Sequence, residues 1–293
     1  IDNMNNYYNT NLKKDRLKIL KQKKNFSFNK ININNYSKLK KFFNDIKVDV
    51  IINLAAQAGV RYSIYNSKSY LDANINGFYN ILEISKKLKI KHLIYASSSS
   101  VYGDKNKFPI KEKDNTNNPL SFYAASKKMN EIMAYSYSNI HNLPTSGLRF
   151  FTVYGPYGRP DMSLYKFVDG ISKNKKINVF NYGNHERDFT YVDDVVEIIE
   201  KLITKKPAGK VPYKIFNISS GKPKKLKTYI RIIEKILGKK SKKNYLNMQL
   251  GDVKKTHGES KLVKKLVNKK NFTKFEIGIE KYIKWYKEYY LNE

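Results

Sequence analysis

The chain has 293 residues, which is long enough for one large α/β domain or two smaller ones with a sizeable core. It has no cysteine, which excludes disulfides, thiolate metal sites and cysteine nucleophiles and fits a reducing, cytoplasmic compartment. The net charge is +32, but the lysines are spread along the chain and form no single block, so we expect a solvated basic surface without a specific nucleic-acid site.

Two further classes of protein do not fit the residue pattern. No apolar run approaches the roughly 18–20 residues of a membrane span, so we expect no span. The four histidines are scattered without metal-ligand spacing, so we expect no metal site.

Strand and helix patterns alternate along the chain, beginning with the apolar run VDVIINLAA, which is typical of a strand buried on both faces of a parallel sheet. In order, we expect a strand at 48–56, a helix at 69–90, a strand at 92–97, a helix from 121 to about 140, strands at 145–151 and 176–180, a helix from about 193 to 202, a strand at 214–219, a helix near 226–237 and a helical region at 259–291. This alternation predicts right-handed βαβ units and a Rossmann-like α/β fold, with a doubly wound parallel sheet.

Two domains are expected from the loop-rich segments of the second half. The first, 1–153, would be a cofactor-binding core, and the second, 154–293, a smaller substrate lobe. Strands and helices around 176–220 would return to the core.

The stretch SFYAASKK places Tyr123 four residues before Lys127, so both side chains lie on one face of a helix. An ammonium group beside a phenol favours the phenolate, which could act as a base. Ser97 to Ser100 follow a strand, at the sheet edge where ligands of such folds bind. A chance tyrosine–lysine pair, and serines that only satisfy loop backbone groups, remain possible on these residues alone.

The stretches YASSSSVYG, SFYAASKK and LRFFTVYGP, in this order and spacing, resemble the extended short-chain dehydrogenase/reductase family. More narrowly, they resemble the nucleotide-sugar epimerases. The segments IDNMNNYY, NLAAQAGVRYSI, RFFTVYGPYGRPDM and RDFTYVDD are most similar to UDP-glucuronate 4-epimerases. The resemblance implies NAD-dependent epimerisation at C4 of a UDP-sugar, from UDP-glucuronate to UDP-galacturonate, through a 4-keto intermediate.

The resemblance also implies the catalytic roles. Tyr123 would be the base and acid, and Lys127 would assist it and hold the nicotinamide ribose. Ser98 would bond the sugar hydroxyl, with Ser99 beside it in the substrate site.

For the cofactor, the resemblance implies that Asp2 binds the adenosine ribose hydroxyls, where a carboxylate matches a diol and repels a 2′-phosphate, so NAD is expected rather than NADP. Asn32 and Ile33 stand where the family has an aspartate and an apolar residue at the adenine. The remaining implied cofactor residues are Ala55, Ala56 and Gln57, which follow a strand, and Asn74. Ala55 to Gln57 could equally serve plain helix–strand packing.

For the UDP-sugar substrate, Arg187 and Asp252 match the family positions that hold the uracil nucleotide. The resemblance also implies that Thr152 and Arg159 lie where a glucuronate carboxylate would be held. Arg159 would be the counter-ion, because a guanidinium matches a carboxylate fork. A plain surface arginine in a Pro/Gly loop is the alternative for Arg159. We also expect a homodimer.

The serine cluster does not support two other activities of the family, dehydration and decarboxylation. The family's 4,6-dehydratases need an acidic pair where this chain has Ser99 and Ser100, and the decarboxylases need a glutamate at Ser100. UDP-glucose 4-epimerase keeps the same catalytic residues and is the closest alternative. A remoter alternative is a basic binding protein without catalysis.

The start of the chain departs from the family pattern. Such folds open with a strand and a glycine-rich turn that holds the pyrophosphate, whereas the first glycine here is Gly59. We therefore expect roughly 25–30 residues of a strand–turn–helix unit to be missing at the N-terminus.

Overall fold

The computed structural model describes residues 1–292. The strands are β1 Val50–Asn53, β2 His92–Ser98, β3 Thr145–Phe150, β4 Thr152–Tyr154, β5 Lys176–Phe180, β6 Glu186–Arg187, β7 Phe189–Tyr191, β8 Tyr213–Ile218, β9 Lys224–Lys225 and β10 Lys242–Leu246. The helices are α1 Asn11–Lys21, α2 Tyr36–Asn44, α3 Tyr62–Tyr65, α4 Ser67–Tyr70, α5 Gly77–Lys87, α6 Phe122–His141, α7 Ser163–Ser172, α8 Val192–Leu202, α9 Leu226–Leu237, α10 Lys261–Val267 and α11 Phe275–Tyr290.

The chain divides into two units. Unit 1 comprises Ile1–Val101, Thr116–Arg149 and Leu202–Phe216, and unit 2 comprises Tyr102–Asn115, Phe150–Lys201 and the chain from Asn217 onward. The sequence predicts cofactor binding by residues 1–153 and substrate binding by residues 154–293. This functional assignment stays a prediction.

The main sheet has the strand order β1-β2-β3-β8, and β1 runs parallel to β2 with Val50 opposite His92. Helices α2, α5 and α6 pack beside one another in unit 1 through a core that includes Leu39, Phe78, Leu82 and Leu93. The alternating strand and helix patterns therefore produce the predicted α/β architecture.

Unit 2 contains three pairs of strands, namely β4 with β7, β5 with β10 and β6 with β9. Its core is rich in aromatic rings, and the ring centroids of Phe189 and Tyr229 lie 4.8 Å apart. Phe275, at the start of α11, contacts both rings. These contacts hold α9 and α11 against β7.

Three differences from the sequence expectations have structural reasons. Strand β1 is an edge strand of the sheet and is not buried on both faces, since Ile52 within it and Leu54 just after it are exposed. The helical region 259–291 is two helices, since Asn268 adopts a left-handed backbone with φ 51° that ends α10. Of the region 176–220, β8 joins the main sheet, whereas β5 pairs with β10 in unit 2.

Helix α4 continues into α5 through a stretch of π-helix at Leu71–Asn76. Such wide turns are rare and often accompany functional sites. No helix among residues 1–292 is both long and apolar enough to cross a membrane.

A buried ion pair in unit 2 gives a test of stability. The Nζ of Lys269 lies 2.8 Å from Oδ1 of Asp194 and 2.7 Å from Oε2 of Glu197, and the Lys269 and Asp194 side chains are almost fully buried. Lys269→Met leaves the Asp194 carboxylate buried without its cation, so we expect a loss of about 3 kcal/mol. In thermal unfolding of a chain of this length, this corresponds to a Tm lower by roughly 5 °C.

The matched control is Lys201→Met, which removes an exposed partner of the same Glu197. Its effect should be below about 1 kcal/mol because solvent screens that pair. Equal Tm values for the two variants would contradict the role given to Lys269.

Candidate functional site

Helix α6 carries Tyr123 and Lys127, and its start is set by a side-chain cap. Ser121 has an extended backbone, and its Oγ accepts a hydrogen bond of 3.1 Å from the backbone N–H of Ala124. The cap begins the helix at Phe122. Tyr123 therefore lies in the first turn of α6, and Lys127 follows one turn later on the same face.

The ammonium group of Lys127 is buried at the end of β2. The residue is 3% exposed, and its Nζ donates a hydrogen bond of 2.8 Å to the carbonyl oxygen of Ala96. Burial lowers the pKa of Lys127 to about 8. The bond ties the first turns of α6 to the strand end that carries the serine cluster.

The serines of the cluster have different partners. Ser97 Oγ donates a hydrogen bond of 2.6 Å to Oε1 of Glu131, on α6. Ser98 Oγ accepts from the backbone N–H of Ser100 at 3.1 Å, which leaves its own hydroxyl proton to donate. Ser99 begins a short 3₁₀ turn at Ser99–Tyr102. Of the two buried serines, Ser98 rather than Ser97 retains the capacity to donate to a ligand.

Asn74 fixes the loop that follows β1. Its Oδ1 accepts from the backbone N–H of Gln57 at 2.7 Å, and its Nδ2 donates to the carbonyl of Gln57 at 3.0 Å. The same Nδ2 donates to Oγ of Ser126 on α6 at 2.9 Å. Asn74 thus holds the loop and helix α6 together, and a direct contact of Asn74 with the cofactor stays a prediction.

Tyr70 was not singled out from the sequence, yet it links the same elements. Its hydroxyl donates to the carbonyl oxygens of Ala58 and Gly59, and its ring meets the Tyr123 ring edge-on with 6.0 Å between centroids. The residue is fully buried. Because tyrosine is abundant in this chain, only the tertiary contacts distinguish Tyr70 from the others.

The other predicted cofactor residues lie in unit 1 with different surroundings. Asp2 is exposed, and its Oδ1 accepts from the backbone N–H of Met4 at 2.6 Å. Asn32 is exposed and its Oδ1 accepts from the backbone of Asn34 at 3.0 Å. The Ile33 side chain packs in the core, where a Cβ on Gly77 would come within 2.7 Å of it. Roles at the adenosine stay predictions for all three residues.

Ala55 is exposed and Ala56 half-buried, directly after β1. Small side chains at this strand end leave the backbone accessible. The structure therefore links α6, which carries Tyr123 and Lys127, to β2 through the Lys127–Ala96 bond and to the loop after β1 through Asn74.

In unit 2 the structure pairs two of the predicted substrate residues. Arg187 Nη2 donates to Oδ1 of Asp252 at 2.6 Å. Its Nη1 donates to the backbone carbonyls of Glu186 and Lys254 at 3.0 and 3.1 Å. Three bonds thus orient the guanidinium, although residues 187 and 252 are far apart in sequence.

Asp188 was also missed from the sequence. Its carboxylate is buried and accepts four hydrogen bonds, from the N–H and Oγ of Ser220 and the N–H groups of Gly221 and Gly258. Its backbone carbonyl accepts from the N–H of Thr152. Asp188 therefore joins β4 to two loops and fixes the backbone next to Arg187.

Thr152 begins β4, opposite Phe189 of β7. Arg159 lies in the following loop, where its Nε is 3.4 Å from Oδ1 of Asp161 and its Nη2 donates to Sδ of Met162 at 3.3 Å. The nearest contacts of Arg159 are thus within its own loop. A ligand carboxylate would have to share this arginine with Asp161.

Residues 1–219 match the NAD dependent epimerase/dehydratase family. Protein CapI of Staphylococcus aureus is 49% identical over 305 residues, which cover 99% of this chain and 91% of that protein. The UDP-glucuronate 4-epimerase of Thermodesulfobacterium geofontis is 41% identical over 289 residues, covering 98% of this chain and 88% of that enzyme.

Among solved structures, the UDP-glucuronic acid 4-epimerase of Bacillus cereus, in complex with UDP-glucuronic acid and NAD, has a TM-score of 0.91. The two proteins are 30% identical, and the match covers 99% of this chain and 90% of that one. The likeness confirms the predicted Rossmann-like α/β fold. Fold and sequence agree that the chain belongs to the NAD dependent epimerase/dehydratase family.

Proposed function

We propose that the chain catalyses the NAD-dependent epimerisation of UDP-glucuronate at C4, giving UDP-galacturonate through a 4-keto sugar. The observation that carries this proposal is the buried Lys127 ammonium, held on the Ala96 carbonyl one helical turn from Tyr123. The relatives named above support the reaction and the substrate class.

The residues of unit 1 fit NAD. Lys127 has three N–H donors, and only the bond to Ala96 uses one of them among residues 1–292. The other two could bond the hydroxyls of a ribose. Asp2 would hold the second ribose, and the small residues Ala55 and Ala56 leave room for the pyrophosphate.

When bound, NAD would accept hydride from C4 and return it. The chain's own residues handle the proton and the orientation. The Tyr123 phenolate takes the proton of the sugar 4-hydroxyl and later gives it back. Lys127 favours that phenolate through its charge, and Ser98 donates a hydrogen bond to the sugar oxygen. Asn74 bonds both α6 and the loop after β1, and Tyr70 bonds that loop and touches the Tyr123 ring, which would hold these parts in place before substrate binds.

In unit 2, Arg187 would neutralise the diphosphate and Asp252 would support it, while Thr152 and Arg159 would hold the glucuronate carboxylate. A second candidate substrate is UDP-glucose. The observation that favours it is the ion pair of Arg159 with Asp161, which already balances the charge of the arginine. The substrate preference of the protein decides between the two.

We also propose that the chain forms a homodimer through α6. Apolar side chains that are exposed in the single chain share one face of this helix, namely Phe122, Met129, Ile132 and Ile140. A two-fold dimer brings the same face of both copies together, so these side chains could pack on their counterparts in a second copy. The neighbouring α5 adds exposed Tyr79.

A cytoplasmic location and the absence of a specific nucleic-acid partner belong to the same proposal. The lack of cysteine fits a reducing compartment. The basic charge is spread over many separate residues, so polyanion binding should be weak and strongly dependent on salt.

The first test concerns the base. Tyr123→Phe removes the ionisable hydroxyl and keeps the ring, so we expect kcat to fall by at least about 100-fold, as is typical for loss of a general acid–base. UDP affinity, measured by calorimetry, should be largely kept. Tyr135→Phe, on the exposed side of the same helix, is the matched control and should retain kcat. Near-normal turnover by Tyr123→Phe would exclude this residue as the base.

The second test concerns the carboxylate. We expect the protein to prefer UDP-glucuronate to UDP-glucose in kcat/KM. Arg159→Leu should reduce that preference by about 1–3 kcal/mol, the value of a hydrogen bond to a charged group. Arg231→Leu, which removes an exposed arginine on α9, should leave the preference unchanged. An unaltered protein that prefers UDP-glucose would favour the second candidate.

The third test concerns the dimer. Ile132→Lys places a charge in the apolar face of α6, so we expect a monomer in light scattering at a concentration where the unaltered protein is a dimer. Leu250→Lys makes the same change at an exposed position in unit 2 and should stay dimeric. A monomeric unaltered protein, or a dimeric Ile132→Lys, would refute the proposed interface.

A further inference from the structure

A buried ion pair lies next to the catalytic lysine. Arg149, in β3, donates from Nε to Oε1 and from Nη2 to Oε2 of Glu131, both at 2.8 Å. The two side chains are 5% and 2% exposed. Ser97 Oγ adds a third bond, of 2.6 Å, to Oε1. The Glu131 carboxylate therefore has both oxygens covered.

Glu131 lies close enough to Lys127 along α6 for the two side chains to interact. Glu131 follows Lys127 by one turn of α6, so the two buried side chains share a helix face. Both side chains also bond neighbouring residues of β2. Lys127 donates to the carbonyl of Ala96, and Glu131 accepts from the hydroxyl of the next residue, Ser97. A lysine at this spacing could form an ion pair with Glu131. Among residues 1–292, however, the cations within 4.0 Å of that carboxylate are Arg149 and, at 3.7 Å, Lys128.

The other titratable groups around this cluster are mostly neutral. Tyr95 of β2 and Tyr213 of β8 face Glu131 and Arg149, and burial raises the pKa of each phenol above its ordinary value. Lys128, on α6, is partly exposed. Within the cluster, the Glu131 carboxylate and the Arg149 guanidinium offset each other, and burial is what lowers the pKa of Lys127.

We propose that Arg149 is a positioning residue that acts through Glu131: by covering both carboxylate oxygens, it prevents Glu131 from capturing the Lys127 ammonium. Lys127 then stays on the Ala96 carbonyl, with its two remaining donors available to the cofactor ribose. The inference rests on the proposed function for its kinetic consequences, but the location of the Lys127 ammonium can be measured without turnover.

Removing Arg149 leaves a buried carboxylate without its bidentate partner, which is costly unless another cation replaces it. The Lys127 ammonium is the buried cation at the right helical spacing. Its pKa is lowered to about 8 by burial, and an unpaired carboxylate nearby would raise it. Drawn towards Glu131, Lys127 would favour the Tyr123 phenolate less.

The experiment compares Arg149→Met with the double variant Glu131→Gln/Arg149→Met. In the single variant we expect kcat to fall by at least about 10-fold with UDP affinity kept, and the acid limb of the kcat/KM profile to move to higher pH. The double variant removes the competing carboxylate together with the arginine, so it should recover most of the kcat and the original pH profile. A purely structural role also predicts recovery of folding in the double variant, because the unpaired buried charge is gone. It does not predict a shifted pH profile in a folded Arg149→Met, so the pH profile separates the two roles.

A crystal structure of Arg149→Met supplies the readout that does not depend on activity. We expect Nζ of Lys127 to bond Glu131 and to leave the Ala96 carbonyl. A lysine that stays on Ala96, or a double variant as slow as the single one, would overturn the inference. If the unaltered protein does not turn over UDP-glucuronate, the proposed function fails, while the crystal structure still decides the position of Lys127.

Two variants guard against loss of folding as the explanation. Lys269→Met breaks a buried ion pair in unit 2 and should lower Tm without changing kcat or the pH profile at a temperature where it is folded. Arg149→Lys keeps the charge but covers one oxygen only, so it should show an intermediate loss of kcat. A folded Arg149→Lys with normal kcat and pH profile would also overturn the inference.

Discussion

A buried ammonium group at the end of β2 constrains most of unit 1. Lys127 can be buried only where a hydrogen-bond acceptor is supplied, since an unpaired charge in the interior is costly. The Ala96 carbonyl supplies that acceptor, so the first turns of α6 must pack against the strand end. That packing places Tyr123 at the sheet edge where ligands of parallel α/β folds bind.

Further buried polar groups hold the same helix in place. Asn130 donates to the carbonyl of Asn74, Asn74 donates to Ser126, and Ser126 donates to the carbonyl of Tyr123. Each of these groups would be destabilising if left unsatisfied. Their bonds also run through the π-helical stretch before α5, whose wider turn carries Asn74. The same hydrogen bonds therefore satisfy the buried polar groups and fix the position of α6.

Each unit is organised around a buried carboxylate. In unit 1, Glu131 joins α6, β2 and β3 through Ser97 and Arg149. In unit 2, Asp188 joins loops that are distant in sequence through Ser220 and Gly258. Buried carboxylates with several donors fix one packing of their neighbours, because few other arrangements satisfy all their bonds.

The sequence by itself determined the elements and the chemistry that depend on local spacing. Apolar periodicity placed β5 at 176–180 and α9 at 226–237, and the four-residue spacing of Tyr123 and Lys127 put them on one helix face. Only the tertiary structure decided that Ser97 is taken by Glu131 while Ser98 keeps its donor, that Arg187 pairs with Asp252, and that Tyr70 touches Tyr123. The physical reason is that local patterns encode which way a side chain points along its own element. Which distant group it meets depends on how whole elements pack, and no short stretch of the chain contains that information.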